Sequence, residues 1–392
     1  GFTFFAGYQK GHSGSTFGND IPVPPENALF VNTENQDKTI DFSLFWRVWE
    51  LLKEKFVDKD KLDAKALFYG AIDGMLAATG DPYTTFFSPK ENKEFQEDLA
   101  GSFEGIGAEM ALKDNILTIV TPLDDSPAKK AGLLPGDQII KISDELTSTL
   151  SLSGAVDKIR GPRGTSVALT IFRDGEDTTR EITVTRDIII VKSVKVEMKE
   201  DGIAFIRLSQ FGDNAVEEFQ KAVTDLKHGD TKGIVLDLRN NPGGFLDAAV
   251  KIAGTFLPDK TVVVQEEDSN KKRESLRSEG KPEFGNIPIV VLINEGSASA
   301  SEILAGALRE NRPDVTLVGK KSFGKGSVQE LIPVGKDTSV KITVAHWLTP
   351  NGNQINKVGI SPDVEVGISK EDAEQKHDSQ LERALEILKE KL

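Results

Sequence analysis

The spacing of apolar and polar positions changes in character along the chain. Over residues 41–100, apolar side chains recur every three to four positions, which predicts amphipathic helices. The first helix carries an aromatic stripe that begins at Phe42 and ends at Phe56, and a second helix is predicted near residues 62–78. We expect the aromatic stripe to belong to the core, although a partner chain could also cover it.

Two later segments have different patterns. Residues 101–188 contain short β-rich runs between turns and one helix at residues 152–159, which is typical of a small, separate β-rich module. Residues 189–366 alternate buried strands with helices, and this order predicts an α/β layer fold in which much of the sheet is parallel. The polar run 266–282 is predicted to be a surface excursion, and residues 369–392 to form a charged amphipathic helix.

These patterns predict a multidomain α/β protein. The first 40 residues are rich in Gly, Pro, Asn and Ser, a composition typical of an extended arm or linker. In chain order, the predicted units are an N-terminal arm (1–40), a helical N-terminal domain (41–100), the β-rich module (101–188), an α/β core (189–366) and a C-terminal helix (367–392).

Composition narrows the classes of function. The net charge of −14 argues against nucleic acid as a partner, because binding DNA or RNA needs a cationic surface. The absence of cysteine excludes disulfides, thiolate catalysis and cysteine-ligated zinc, and the four histidines lack metal-ligand spacing. The sequence contains no run of 18 or more apolar residues, so it predicts no transmembrane helix. The aromatic opening, residues 1–8, is either the remnant of a signal or anchor segment or an unrelated terminus.

Three runs could carry chemistry. In the first, a strand ends at Ile293, small residues follow, and a helix begins within residues 296–308. Such a turn exposes a side chain beside free helical N–H groups, which suits a nucleophilic serine, but a serine-rich helix cap looks the same. The second run, 323–329, places Lys325 between two glycines. Taken alone, this pattern is more typical of an exposed turn lysine, and the spacing of a phosphate-binding loop is absent.

The third run, 237–244, leads a strand into a Pro-Gly-Gly turn, where backbone N–H groups can face an anion or simply close a turn. Considered together, the three runs offer a serine, a base and donors. Neither the serine run nor the lysine run contains histidine, but a desolvated lysine can act as a neutral amine. If its segment is extended, Gln329 shares a face with Lys325 and could orient that amine.

The β-rich module has a signal of its own. Glycines flank a short backbone run before a strand, and such backbone can form a nest for a terminal carboxylate, although a plain β-domain loop is the simpler interpretation. The residues of this candidate carboxylate loop are Gly105, Ile106, Gly107 and Ala108.

Together, the runs 237–244, 296–308 and 323–329 resemble those of carboxyl-terminal processing proteases, a family that includes bacterial tail-specific proteases. The stretch 131–140 is similar to PDZ domains. The resemblance extends over about residues 40–366. Its further matches are Ile159-Arg160-Gly161-Pro162-Arg163-Gly164-Thr165, Trp347-Leu348-Thr349-Pro350-Asn351-Gly352, Gly359-Ile360-Ser361-Pro362-Asp363 and Asp81-Pro82-Tyr83-Thr84.

The resemblance implies roles for individual residues. It makes Ser299 the nucleophile, with Ser297 and Ser301 as rivals, Lys325 the general base, and Gln329 the residue that assists the lysine. The serine-to-lysine separation is one residue longer than in members of the family, and the extra residue is expected near residues 311–321. The implied oxyanion donors are the N–H groups of Ala300 and of Gly243 or Gly244. Arg160 is implied as a contact through which the PDZ domain regulates the site.

The resemblance also implies a ClpP/crotonase-type α/β core with an inserted PDZ domain, and a serine endopeptidase that needs no metal or cofactor. Its expected partners are unfolded or tagged proteins bound through their C-termini, and its expected location is a bacterial cell envelope. The helical ends are compatible with a homodimer. Two other hypotheses remain at this point: a non-catalytic PDZ scaffold on an inactive core, and a crotonase-type acyl-CoA enzyme.

Overall fold

The computed structural model describes residues 41–113, 115–375 and 377–392. The predicted arm over residues 1–40, with its aromatic opening, lies outside the described residues. Within the described ranges, the strands form two sheets in the α/β core, one sheet in the β-rich module and a two-stranded ribbon. None of the helices in these ranges is both long and apolar enough to cross a membrane.

The N-terminal region contains helices and one short strand. Its first helix contradicts the expectation that the aromatic stripe belongs to the core, because this helix buries no residue, and Phe42 and Leu51 keep 46% and 44% of their surfaces exposed. Periodicity identifies the apolar face of a helix but not what covers it. The elements are α1 (Ser43–Lys55), α2 (Ala64–Ala77), β1 (Thr85–Phe87) and α3 (Pro89–Ala100).

The β-rich module is an antiparallel sheet closed by a helix. Alternate residues of one central strand, Val167, Leu169 and Ile171, are buried, as the two-residue period of a strand requires. The strand order is β3-β4-β5-β7-β8, so β3 lies at an edge, and β2 pairs separately with β9. The elements are β2 (Ser102–Gly105), β3 (Ala108–Lys113), β4 (Ile116–Pro122), α4 (Pro127–Lys130), β5 (Gln138–Ile142), β6 (Glu145–Leu146), α5 (Leu152–Ile159), β7 (Ser166–Phe172), β8 (Arg180–Thr185) and β9 (Asp187–Ile190).

The core has the alternation of strands and helices that the sequence predicts. Its elements are β10 (Val194–Met198), β11 (Ile203–Leu208), α6 (Ala215–Lys227), β12 (Gly233–Asp237), α7 (Leu246–Ala253), β13 (Val262–Asp268), β14 (Arg273–Arg277), β15 (Ile289–Ile293), α8 (Ala300–Asn311), β16 (Thr316–Gly319), β17 (Ser327–Gly335), β18 (Thr338–Leu348) and β19 (Val364–Glu365).

The first sheet of the core has the order β10-β11-β12-β15-β16-β19, and only β10 among these strands runs antiparallel to its neighbour. All five residues of β12 and all five of β15 are buried, since helices cover both faces of such a sheet. The carboxyl ends of parallel strands meet at one edge, so the turns after β12 and β15 become neighbours.

A second sheet joins the N-terminal region to the core. Its order is β1-β18-β13-β14, with β17 paired to β18, so that β1 is hydrogen-bonded to a core strand. The polar run 266–282, predicted to be a surface excursion, contains the end of β13, a turn and the mostly exposed strand β14. Its charged residues lie on a strand pair at the sheet edge, where one face meets solvent and a polar pattern hides the strand signal.

The C-terminal segment is two helices rather than the predicted single one, α9 (Lys370–Gln375) and α10 (Ser379–Lys389). Asp378 separates them and accepts a hydrogen bond from the N–H of Leu381, so it caps a new helix. Apolar residues of α10, among them Ala384 and Leu388, pack against Val290 and other residues of the parallel sheet.

Arg239 ties this C-terminal helix to the end of β12. Its guanidinium donates two hydrogen bonds to Asp237, at 2.8 and 2.9 Å, and two to Asp378, at 2.7 and 2.8 Å. Asp237 is completely buried, and Arg239 is nearly so. The arrangement is stable only as a set, because a buried carboxylate without its cation is costly.

Replacing Arg239 with leucine should destabilise the fold by about 3–5 kcal/mol, because it leaves the Asp237 carboxylate buried without a cation. Asp378→Asn is the matched control, since asparagine can still cap α10 and Arg239 still neutralises Asp237. Chemical denaturation would measure both variants. Equal losses in the two variants would contradict this account of the pair.

Candidate active site

Ser299 lies at the turn between β15 and α8, as the first run predicts. Its backbone has φ 55° and ψ −117°, a conformation that non-glycine residues rarely adopt. The residue is 1% exposed, and its Oγ has no hydrogen-bond partner among the described residues. This serine therefore sits in a strained turn with a hydroxyl that takes no part in holding the structure.

The two rival serines are engaged in structural hydrogen bonds. Ser297 Oγ donates to the carbonyl of Leu238 at 2.8 Å and accepts from the N–H of Asn294 at 3.0 Å. Ser301 Oγ donates to the carbonyl of Asn241 at 2.8 Å. Both hydroxyls tie the serine turn to the turn after β12, which favours Ser299 as the reactive member of the three.

The turn after β12 lies directly against Ser299. Gly243 has φ 104°, and a Cβ placed on it would lie 2.8 Å from Ser299 Cβ and 3.0 Å from the nitrogen of Ala300, so only glycine fits. Ala300 is the first residue of α8, where N–H groups have no partner within the helix. The predicted donor residues are thus neighbours. However, the N–H of Gly243 is donated to Asn241 Oδ1 at 2.9 Å in this conformation.

Lys325 is buried, with 3% of its surface exposed, so its interpretation as an exposed turn lysine is wrong. Its Nζ lies 5.2 Å from the centroid of the Tyr83 ring. Burial lowers the pKa of Lys325 to about 8, and the nearby Glu302 carboxylate acts in the opposite direction. With a pKa of about 8, roughly one tenth of the amine is neutral at pH 7 and roughly half at pH 8. Ser299 Oγ is not hydrogen-bonded to this amine here.

The backbones of the serine and lysine turns are held by one buried carboxylate that the sequence interpretation missed. Glu302 accepts hydrogen bonds from the N–H of Ser299 at 2.9 Å, the N–H of Lys325 at 2.9 Å, the N–H of Gly324 at 2.7 Å and the hydroxyl of Ser322 at 2.5 Å. Burial raises its pKa, and these four donors oppose that rise. The signal was present in the sequence, because Glu302 follows Ser299 by the three residues of a capping box.

Gln329 is fully buried near the start of β17. Its Nε2 donates to Ser327 Oγ at 2.6 Å and to Thr343 Oγ1 at 3.1 Å. The argument that an extended segment aligns Gln329 with Lys325 does not apply, because Lys325 precedes the strand and the β17–β18 register shifts at Val328. A bulge re-aims side chains in a way that two-residue periodicity cannot predict.

A second buried lysine lies close to the first, and the sequence interpretation also missed it. Lys341 is 4% exposed, and its Nζ lies 5.1 Å from the Phe87 ring centroid and 5.9 Å from that of Phe95. Burial, reinforced by the charge of Lys325, lowers the pKa of Lys341 to about 7, while Asp81 acts in the opposite direction. A lysine inside the apolar strand β18 was the available signal.

The candidate carboxylate loop of the β-rich module lies between β2 and β3. The carbonyl of Ile106 accepts from the N–H of Ala128 at 2.8 Å, and that of Gly107 accepts from the N–H of Leu123 at 2.9 Å. In a trans peptide the following N–H points the opposite way, so the N–H groups of Gly107 and Ala108 face away from these partners. Gly105 ends β2, and β3 continues from Ala108 as an edge strand.

Arg160 follows α5 immediately and lies between the β-rich module and the N-terminal region. Its guanidinium carbon is 4.7 Å from the centroid of the Phe103 ring. Burial raises the pKa of Asp98 on α3, and the charge of Arg160 opposes that rise. The same boundary carries ion pairs, such as Lys90 to Asp157 at 2.6 Å. Arg160 and Ser299 are therefore on different units.

Three family models match the chain. The model of peptidase family S41 matches residues 202–366, and a PDZ domain model matches residues 118–173. The model of the activating protease CtpB N-terminal domain matches residues 22–91. Protein-cleaving and peptide-binding modules thus coincide with the α/β core and the β-rich module described above.

The curated relatives carry one activity in their names. The carboxy-terminal-processing protease of Bartonella bacilliformis is 39% identical over 86% of this chain and 78% of the relative. Carboxy-terminal processing protease CtpB of Bacillus subtilis is 38% identical over 87% of this chain and 72% of the relative. For the carboxyl-terminal-processing protease of Synechocystis sp., the identity is 38% over 91% of this chain and 84% of the relative.

Solved structures agree. A photosystem II D1 C-terminal processing protease is 32% identical, with a TM-score of 0.51, over 84% of this chain and 89% of that one. An S41 protease from Bacteroides fragilis has a TM-score of 0.58 over 88% of this chain and 97% of that one, and its 16% identity shows the fold alone.

An S41 core combined with a PDZ domain defines a serine peptidase that acts on proteins. Within that class, the chain belongs to the family of carboxy-terminal processing proteases. The family resemblance seen in the sequence is thereby confirmed.

Replacing Glu302 with glutamine should impair both stability and proteolysis. An amide has one acceptor oxygen where the carboxylate has two, so some of the four donors lose their partner, at about 1–3 kcal/mol each. We expect kcat to fall about 100-fold, as is typical when reacting groups are misplaced, with a smaller change in KM. Steady-state proteolysis and thermal unfolding would measure the two effects. Glu295→Gln, an exposed carboxylate of the same turn, is the control, and an equal loss there would contradict the assignment.

Proposed function

We propose that the chain is an endopeptidase that cleaves peptide bonds through an acyl-enzyme on Ser299, with Lys325 as the general base. The observation that carries this proposal is the state of three neighbouring hydroxyls. Those of Ser297 and Ser301 are committed to backbone carbonyls, whereas that of Ser299 is buried without a partner among the described residues. The lowered pKa of Lys325 supplies the neutral amine that such a serine needs.

In the proposed reaction, the neutral amine of Lys325 takes the proton of Ser299 Oγ as this oxygen attacks the scissile carbonyl. The N–H of Ala300, with that of Gly243 or Gly244, stabilises the oxyanion. Lys325 then gives its proton to the leaving amine as the C–N bond breaks. Water, deprotonated by the same amine, cleaves the acyl-enzyme and restores Ser299. Gln329 assists by accepting a hydrogen bond from the lysine.

Two features indicate that this conformation precedes the reactive one. Ser299 Oγ is not hydrogen-bonded to Lys325, and the N–H of Gly243 is held by Asn241. Rotation of the serine side chain and release of that N–H would complete the site. Catalytic hydrogen bonds commonly tighten only when substrate is present. We therefore propose that substrate binding forms the hydrogen bond between Ser299 and Lys325 and frees the N–H of Gly243 from Asn241.

The dyad predicts a specific pattern of activity. Ser299→Ala and Lys325→Arg should each lower cleavage of a casein-like substrate by about 10⁴-fold or more, the loss typical of a missing nucleophile or base. Ser297→Ala and Ser301→Ala should leave measurable activity, since they remove only structural hydrogen bonds. Cleavage that persists in a folded Ser299→Ala variant would exclude this serine as the nucleophile.

The pH dependence follows from the same amine. Because the base must be neutral, activity should rise by about tenfold per pH unit in the acid range and level off above the pKa of Lys325, about 8. A pH profile of kcat on folded enzyme would measure this limb. A profile that is flat between pH 6 and pH 9, values chosen at about one to two units on either side of that pKa, would argue against a lysine base.

We further propose that the PDZ domain binds the C-terminus of an unfolded or tagged substrate. The peptide would add as a strand to the edge strand β3, with its carboxylate at the backbone run 105–108. The edge position of β3 and the outward N–H groups of Gly107 and Ala108 support this placement. Arg160 stacks on Phe103 at the boundary of the module. Through this contact, binding of a peptide to the PDZ domain would affect the candidate active site.

This predicts that tail-bearing substrates stimulate cleavage and that Arg160→Ala changes the stimulation. A tagged substrate ending in apolar residues should be degraded faster than one ending in charged residues or in a C-terminal amide, because a terminal carboxylate is bound. The matched control is Arg180→Ala, since Arg180 begins β8 at the opposite edge of the sheet from β3 and pairs there with Glu176. Equal rates for the free and amidated tails would contradict tail recognition, and unchanged stimulation in Arg160→Ala would remove its role.

Three coarser features complete the proposal. The parallel core sheet between helices supports a ClpP/crotonase-type fold, and superposition of residues 189–366 on proteins of that fold would test it. The exposed stripe of α1 supports a homodimer through the terminal helices, testable by sedimentation. We propose a bacterial cell envelope, outside the cytoplasm, as the location, which the resemblance to the family implies. Recovery of the native protein in the cytosolic fraction would exclude this location.

A further inference from the structure

The N-terminal segment just before β1 reaches into the active site. Asp81 Oδ2 accepts hydrogen bonds from Thr343 Oγ1 at 2.5 Å and from Thr84 Oγ1 at 2.7 Å. Thr84 Oγ1 also accepts from the N–H of Thr343 at 3.2 Å. Tyr83 lies between Asp81 and Thr84 in the sequence, and its ring lies beneath the amine of Lys325. A part of the chain outside the α/β core therefore contacts both β18 and the candidate base.

Thr343 connects this segment to Gln329. Its hydroxyl donates to Asp81 and accepts from Gln329 Nε2, so Asp81, Thr343 and Gln329 form a continuous chain of hydrogen bonds. Gln329 uses its two amide hydrogens on Thr343 and Ser327. Its Oε1 is buried and has no hydrogen-bond partner among the described residues. The chain of hydrogen bonds thus ends at a buried amide oxygen that can still accept a hydrogen bond.

The charge of Asp81 sets the direction of this chain. Partial burial raises the pKa of Asp81, but the hydrogen bonds from the hydroxyls of Thr343 and Thr84 lower it by more. Asp81 is therefore ionised, and an ionised carboxylate can accept hydrogen bonds but cannot donate them. The single hydroxyl hydrogen of Thr343 must therefore point to Asp81. The Oγ1 of Thr343 can then only accept a hydrogen bond from Gln329, so the Nε2 of the amide, and not its Oε1, must face Thr343. With the direction reversed, the amide would turn its N–H₂ group toward the site.

We propose that Asp81 is a positioning residue of the protease: acting through Thr343, it fixes the amide of Gln329 so that Oε1 faces the amine of Lys325. This inference rests on the proposed Ser–Lys mechanism, in which Gln329 accepts a hydrogen bond from the base. It also gives the N-terminal region a part in catalysis, since the carboxylate that orients the core glutamine comes from outside the core.

The test compares variants of the full chain that differ in a single atom or charge. Asp81→Asn and Thr343→Val should each lower kcat about tenfold, the effect of about one lost hydrogen bond, with KM within about twofold. Thr343→Ser keeps the hydroxyl and should retain kcat. Asp73→Asn is the matched control, because Asp73 is an exposed carboxylate of the same region. Steady-state kinetics with a tail-bearing substrate, beside thermal unfolding, provide the readout.

A double variant separates orientation from simple loss of structure. In Asp81→Asn combined with Gln329→Glu, the carboxylate moves to the other end of the chain, and its oxygens accept from both Thr343 and Lys325 whichever way it turns. We expect the double variant to be more active than the product of the two single losses. If Asp81→Asn fails to fold, the Thr343→Val and Thr343→Ser pair still decides the matter.

The outcomes are distinguishable. Normal kcat in folded Asp81→Asn and Thr343→Val, with Ser299→Ala inactive, would overturn the positioning role while leaving the proposed function intact. The same holds if KM rises and kcat does not fall, or if Thr343→Ser loses as much as Thr343→Val. Activity in Ser299→Ala would overturn the mechanism on which the inference rests.

Discussion

The candidate active site depends on one buried carboxylate. Glu302 accepts hydrogen bonds from the backbone N–H groups of Ser299 and Lys325, which are 26 residues apart in the sequence. A buried carboxylate is costly, and this one is retained because four donors surround it. Since its own helix α8 begins beside Ser299, the carboxylate also stabilises the strained backbone of that residue. The backbones of the serine turn and the lysine turn are therefore held together by hydrogen bonds to one side chain, that of Glu302.

The Oγ of Ser299 itself has no hydrogen-bond partner among the described residues. The hydroxyls of Ser297 and Ser301 hold the serine turn to the turn after β12, which brings Gly243 against Ser299. Ser297 and Ser301, which hold the turn in place, thus lie on either side of Ser299, the residue proposed to react. This division explains how a strained turn can persist, because the surrounding bonds over-determine it. It also explains why three similar serines in one sequence run can have different roles.

Local pattern predicted much of the fold and little of the environment of the site. The helix at residues 152–159 was predicted with the bounds observed, because its periodicity and its flanking turn residues agree. The exposure of α1, the burial of Lys341 and the four bonds of Glu302 were not foreseen. Each depends on which surfaces meet in three dimensions, and a single sequence gives the apolar face or the charge without its neighbours. The resemblance to a family placed Ser299 and Lys325, but it carried no information on Thr343.

Burial of the base requires more than the core. The ring of Tyr83 lies below Lys325 and that of Phe87 below Lys341, and both rings come from the segment that β1 joins to β18. Burial is the larger cause of the lowered pKa in both lysines, and the charge of one lysine adds to the effect on the other. Removing this segment would return water to the amines and raise both pKa values toward that of a free lysine. In the proposed mechanism the neutral fraction of the base would then fall further at neutral pH. The lowered pKa of Lys325 therefore depends on the docked N-terminal segment as well as on the core.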